Sequence, residues 1–526
     1  MKLFERQQIN RQPKAQIALP IFLALVLGLG GAQTALAQTP AAGMTQVALI
    51  PIHCVNQTVT PNCLHDWTTS GATQASTDIF SFDFATNTMY FADRVNQGIT
   101  VIDTRNNKYL GTIPVPSCNV AGAIPGSCPS GVQVVHDQRK LIVTDRNTSV
   151  SGTTIHLKGI FIYDLKIPNS APVQLTINTT GTDTDELDYD PVNRRAYVAN
   201  TACPCVLTVV DVVTDTIVDT IPLPSNPEQP RFNPVDGKIY LTIPDDGTIA
   251  TGGSADGVYV VDPTKTGAAA LSKFISAPTG CAVRGIDIDP VTNTGVIGCA
   301  APAAQFLLDF NTATIPTSFP GVTGTDTLQF NPNLRRWYTG SSNNTVSADS
   351  CPALGGATPV IGVFAAPAKV SKKTLFARLV GADCSGVNAH GLGVDTIANQ
   401  VYVGARQFPA ASGGTPGVLV YEDTSPLVQP KLKESSNIKL EPLASPPTTG
   451  RVVIEEGFII DATVSGVPSG TPTVLVVTTT AGNEVVPCDV SSGNATCFRV
   501  LRGQALLGGN IFVSTAGTLQ AKATIK

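Results

Sequence analysis

Charged side chains are scarce in this chain: Asp, Glu, Lys and Arg make up 14% of its 526 residues. A surface so poor in ion pairs must be covered mainly by Ser, Thr, Asn and Gly. The net charge is −5 and no stretch carries a basic stripe, so the counterion release that drives nucleic-acid binding has no source here. The sequence has no C-x-x-C-H for covalent haem, no H-E-x-x-H zinc helix, no phosphate-binding glycine loop and no G-x-S-x-G elbow. Two acidic segments, Thr182–Glu186 and Pro244–Gly247, lack the spacing of a dedicated calcium loop. Beyond the N-terminal segment no apolar run is long enough to span a bilayer as a helix.

What is abundant is turn chemistry. Gly (47) and Pro (39) recur without a fixed glycine period, which fits an all-β protein with many tight turns. Residues 1–37 have the layout of an export signal: Lys2, Arg6, Arg11 and Lys14, an apolar run from Ile17 to Gly30, and Ala35-Leu36-Ala37 before Gln38. A secreted or periplasmic location is expected. The 12 cysteines agree with that, since an even count in an exported chain implies disulfides. They fall as sequence neighbours, and local pairing is expected: Cys54/Cys63, Cys118/Cys128, Cys203/Cys205, Cys281/Cys299, Cys351/Cys384 and Cys488/Cys497.

Asp185–Leu223 shows the repeating unit: four short β-branched or alternating runs, with Pro, Asn or Asp at each break. The unit recurs seven times. The predicted first strands are Ile79–Phe82, Val132–Val135, Leu187–Tyr189, Pro230–Phe232, Ile286–Ile288, Leu328–Phe330 and Leu392–Val394. Each runs into a polar turn residue: Asp83, Asp137, Asp190, Asn233, Asp289, Asn331 and Asp395. Second strands such as Tyr197–Asn200 (YVAN) and third strands ending in Asp follow. The seventh repeat stops after Val418–Tyr421, and Val47–Ile52 resembles the fourth strands of the other repeats. Supplying it to the seventh repeat closes a ring without open edges. The fold class expected is therefore all-β: a seven-bladed β-propeller over 44–423, closed by the N-terminal strand. A Pro-, Ser- and Lys-rich linker at 424–450 and a small β-sandwich at 451–526 follow.

YVAN at Tyr197–Asn200, the turn DPVNRRAY, and strand ends such as VVD and VID resemble YVTN-type propeller repeats. The openings at Arg284–Pro290 and His390–Asp395 are similar to those of YVTN, NHL and SMP-30/lactonase-like propellers. The C-terminal strands are immunoglobulin-like in layout. The resemblance implies the fold, and because such families include enzymes, scaffolds and surface proteins it implies no single activity.

Counting five positions back from each turn residue gives Asp78, Val132, Asp185, Glu228, Arg284, Asp326 and His390. In a propeller that position opens the innermost strand at the mouth of the central channel. Carboxylates facing one another there raise each other's pKa unless a cation joins them. Asp78, Asp185, Glu228 and Asp326 are accordingly the candidate metal ligands, with Ca²⁺ or a similar hard cation as candidate cofactor. The lactonase-like resemblance makes His390 a candidate base, with Arg284 beside it, although no Asn stands in this ring as lactonase-like sites require. Trp67, Arg94, Arg146 and Arg406 are expected on the same face as ligand-binding residues. The function expected is binding of a small molecule or protein partner on that face by a monomer without a membrane span. The alternative is a metal-dependent hydrolase or lactonase.

Overall fold

The computed structural model describes residues 41–425, apart from residue 42, 53–76 except Trp67, and parts of the connecting loops, chiefly 119–127, most of 146–158, 178–182, 245–254, 301–303, most of 347–356, 367–376 and 406–415. Farther on it describes strand backbone between Ile438 and Ala523. The expected signal segment, 1–37, lies outside the described residues.

Seven four-stranded antiparallel sheets make up the propeller. Blades one to six start at Thr77–Asp83, Val132–Val135, Thr184–Asp190, Pro230–Asn233, Val283–Asp289 and Leu328–Asn331, and each takes its four strands in chain order. Blade seven contains Leu392–Asp395, Gln400–Ala405 and Gly417–Asp423, with Met44–Ile50 as its outermost strand. That strand runs antiparallel to Gly417–Asp423, from Met44↔Asp423 to Ile50↔Val418, and a bulge leaves Val47 unpaired between Gln46 and Ala48. It starts three residues earlier than the sequence pattern predicts and ends two earlier. First strands of neighbouring blades touch all the way round, blade seven to blade one included, so they line a central channel.

Each seam between blades has its own apolar core. Between blades one and two, Tyr90, Ala92 and Ile99 pack on Val132, Val134, Leu141 and Phe161. Between blades seven and one, Ile52, Phe80, Met89 and Phe91 pack on Tyr402, Val418 and Val420. Each such side chain contributes about 1.5–3 kcal/mol on burial. A sheet faced on both sides by other sheets needs apolar residues on both faces, which is why the second strands are nearly continuous apolar runs.

The turn between first and second strands is built alike in all seven blades. The first strand ends on a residue paired with the start of the second: Asp83↔Thr88, Val135↔Lys140, Asp190↔Arg195, Asn233↔Lys238, Asp289↔Thr294, Asn331↔Arg336 and Asp395↔Gln400. Four residues intervene, and the last is left-handed every time: Asn87, Arg139, Arg194, Gly237, Asn293, Arg335 and Asn399, with φ between 52° and 71°. Asn and Gly tolerate that region best. Two of the three arginines repay the strain by reaching the preceding blade. Arg139 donates to both oxygens of Asp83, at 2.7 and 2.9 Å, and Arg335 pairs with Asp289. Asn233–Asn293 and Asn331–Asn399 make the neutral version of the same link.

This register corrects one expectation. In blade two the strand-end position belongs to Val135, and Asp137 sits inside the loop. The residue five positions back is therefore Ser130, whose N–H donates to Thr144 O at 3.1 Å as Glu228 does to Thr242 O. Val132 is a fully buried core residue.

The C-terminal segment has seven strands in one antiparallel sheet, from Ile438–Pro442 to Thr518–Ala523. The first of these falls in the stretch expected as linker and pairs with Gly457–Ser465. No helix among the described residues is long and apolar enough to cross a membrane.

Candidate functional site at the channel mouth

The face on which the innermost strands begin, called the top here, gathers the ring. Asp78 is paired with Arg94, whose guanidinium also donates to Ser130 Oγ at 3.2 Å and to Pro129 O at 3.3 Å. Glu228 is paired with Arg284 of the next blade. His390 Nδ1 lies 2.8 Å from Asp326 Oδ2 and 3.9 Å from Asp78 Oδ1. The structure thus brings Arg94 into the ring, which now has a polar residue in every blade.

Neighbouring blades fix the ring backbone. Thr144 Oγ1 donates to Asp185 O at 2.5 Å, and Thr327 Oγ1 to His390 O at 2.5 Å. Glycine lets the strands close in: a Cβ on Gly285 would stand 2.7 Å from Asp326 O.

Electrostatics differ sharply around the ring. Burial pushes the Asp78 carboxyl up to about 6, against the pull of Arg94. Burial would also raise Asp326, but the hydrogen bond and charge of His390, with help from Arg284 and Arg94, hold it down at about 2. Burial depresses the His390 imidazole, yet the Asp326 contact lifts it above its ordinary value.

One ring residue escapes sequence alignment. Glu186 sits in the bulge between Thr184 and Leu187, is 5% exposed, and its Oε2 has no hydrogen-bond partner. Burial, then the charges of Asp185, Asp78 and Asp326, push its carboxyl well above the usual range. The acidic run Thr182–Glu186 was its only sequence signal.

Among the described residues no group of three or more His, Cys, Asp or Glu side chains is placed to hold an ion. Asp78, Glu228 and Asp326 each have a cationic side chain beside them instead. Trp67 is placed in the core rather than over the mouth: it is 2% exposed, edge-on to Phe91 at 6.1 Å, within the cluster between blades seven and one. Arg146 and Arg406 lie outside the described residues.

Four disulfides have the expected local pairing: Cys118–Cys128, Cys203–Cys205, Cys281–Cys299 and Cys351–Cys384. All four staple top-face segments, and they fit an oxidising compartment. Cys54 and Cys63 lie outside the described residues. Cys488 and Cys497 face each other on paired strands.

Below the ring, a second polar tier stands two positions before each strand end: Ser81, Gln133, Asp188, Arg231, Asp287 and Gln329, with Gly393 in blade seven. Four of these accept the backbone N–H of the next blade. Val134 N donates to Ser81 Oγ (2.9 Å), Phe232 N to Asp188 Oδ2 (2.6 Å), Phe330 N to Asp287 Oδ2 (2.8 Å) and Val394 N to Gln329 Oε1 (3.1 Å). The signal for this tier was present: a polar residue inside six of the seven apolar first strands. Sequence comparison adds little to this geometry. No family model matches the chain, and no curated protein matches it in sequence. Among solved structures the chain is similar to the hydrazine synthase of Kuenenia stuttgartiensis, at 12% identity and a TM-score of 0.47, over 68% of this chain and 98% of that one.

Proposed function

We propose that this is an exported binding protein, secreted or periplasmic, whose top-face ring takes a cationic group of a small ligand or of a protein partner. In this reading the N-terminal strand closes a YVTN-like ring, and the C-terminal β segment serves as spacer. The observation that carries it is Glu186. Its unpartnered buried oxygen lies among the charges of Asp185, Asp78 and Asp326, where an added positive charge would relieve both the burial and the repulsion.

Calorimetry with spermidine and with a tetralysine peptide tests this on the full chain. Binding is expected for the native protein, with at least a tenfold loss in Glu186→Gln. Equal binding by that variant would overturn the reading. The alternative, a metal-dependent hydrolase or lactonase on the same ring, requires stoichiometric divalent metal in purified protein. It also requires a melting temperature that falls on chelation, because an ion bound only by the folded state stabilises it.

A further inference from the structure

The lower half of the channel holds a cavity of about 400 Å³, lined by the innermost strands of all seven blades. No residue of the top ring lines it. Its walls come from the second polar tier and the residues beyond it, and it is bounded at the bottom by turn prolines such as Pro234 and Pro290. Its volume falls in the range of small-molecule sites, which are mostly apolar with a few convergent polar groups.

Three charged groups are contributed by consecutive blades, Asp188, Arg231 and Asp287, and Ser81, Gln133, His136, Asp137 and Gln329 also line the space. The arginine sits between two carboxylates but does not spend its hydrogen bonds on them. Its Nη1 donates to Pro230 O at 3.1 Å and its Nη2 to Leu328 O at 3.2 Å, while Nε stands 3.6 Å from Asp287 Oδ1. That last distance is an ion pair without a hydrogen bond. Two carboxylates against one such guanidinium leave a net negative site. Phe82, Tyr189, Phe232 and Phe330 surround it with aromatic rings. Negative charge beside aromatic side chains favours a cation with an apolar body. An anion approaching Arg231 would meet both aspartates.

We propose that this lower cavity is a binding site for a small organic cation, a primary ammonium on an aromatic or alkyl body. The ammonium would lie beside the carboxylates of Asp188 and Asp287, which it would share with Arg231, with its apolar part against the phenylalanines. The site stands apart from the ring proposed above and does not depend on it.

The probe is 2-phenylethylammonium, titrated into the full chain by calorimetry, beside the anion 3-phenylpropanoate and the neutral 3-phenylpropanol. The ammonium is expected to bind at least tenfold more tightly than either. Asp188→Asn and Asp287→Asn each keep one oxygen for the next blade's N–H, and a melting temperature no lower than that of the native protein verifies that the seam is retained. Each is expected to weaken the ammonium about tenfold, equivalent to about 1.4 kcal/mol. Asp211→Asn, an exposed carboxylate on blade three, is the control for general charge and is expected to change nothing. Equal affinity for the three probes, no binding at millimolar ammonium, or affinity indifferent to both aspartates would each overturn the proposal.

Discussion

The two faces of the ring are built from the same seven repeats and held by different chemistry. At the bottom, four-residue turns end in a left-handed residue, and in four of the seven seams the side chain there or at the strand end bonds the next blade. At the top, connections are longer: disulfides staple them locally, and the ring pairs Glu228–Arg284 and Asp326–His390 link neighbouring blades. Short turns with set dihedrals can carry an inter-blade link in the repeat itself. Long loops cannot, so each needs its own staple, and the freedom they keep is where binding groups accumulate.

The strongest way to break this comparison is at the bottom. The Arg335 side chain is 1% exposed, and Asp289 beside it is fully buried. Arg335→Ala leaves an uncompensated buried carboxylate and is expected to cost about 3–5 kcal/mol in denaturant unfolding. Arg139, 24% exposed in the equivalent seam, is expected to cost less than half of that on the same substitution. If both cost the same, burial is not what sets the strength of the bottom links. At the top, replacing Cys281 and Cys299 together by Ser opens a bridge between residues 18 apart, with an expected cost of about 3 kcal/mol. Reductant should lower the melting temperature of the native protein and leave the double variant less affected. The opposite result would remove the disulfides from the account of the top face.

The channel sharpens the comparison in the other direction, because one substitution there is expected to stabilise. Burial, partly offset by Arg231, pushes the Asp287 carboxyl up to about 6. A folded pKa above the unfolded one means that the folded protein holds the proton more tightly. This group's stabilisation is complete below about pH 4 and is lost as pH rises through 6. Asp287→Asn removes that loss and is expected to gain on the order of 1–2 kcal/mol at pH 7.5, with nothing gained at pH 4. Ammonium binding in the cavity should strengthen over the same window, with Arg231, Asp188, His136 and Asp137 facing the same space. A stability difference independent of pH would mean that the carboxylate is not the group titrating.

Much of the fold was legible because its rules are local. The turn chemistry at Asp190–Arg194 and the apolar second strands repeat at the level of single residues, and seven copies make the period visible. The site was less legible, for two reasons visible in particular residues. His136-Asp137 places an Asp two positions past the strand end of blade two, so counting from it yields Val132 where the backbone pairing yields Ser130. Glu186 faces the ring only because a bulge interrupts the alternation after Thr184, and bulges leave little trace in sequence. The Asp188–Arg231–Asp287 group is dispersed over a hundred residues and converges only because consecutive first strands stand side by side.

The smallest expected effect lies at the boundary between the two regions, where His390 faces two aspartates of opposite behaviour. Asp326 at 2.8 Å is held at about 2 while Asp78 at 3.9 Å is pushed up to about 6, so the imidazolium charge belongs to the nearer pair. The His390 pKa is raised, so its stabilisation is present below the ordinary histidine value and lost as pH rises through the folded one. For Asp326 the sign reverses: its stabilisation is present above the ordinary carboxylate value and lost as pH falls towards 2. In Asp326→Asn the imidazole keeps a hydrogen-bond acceptor but loses the charge, and burial then dominates. Its midpoint, followed by the NMR shift of the ring Cε1 proton, is expected to fall below that of an exposed histidine. A midpoint unmoved by the substitution would mean that Asp78 holds the charge instead, and the top ring would then have one fewer carboxylate free to meet a ligand.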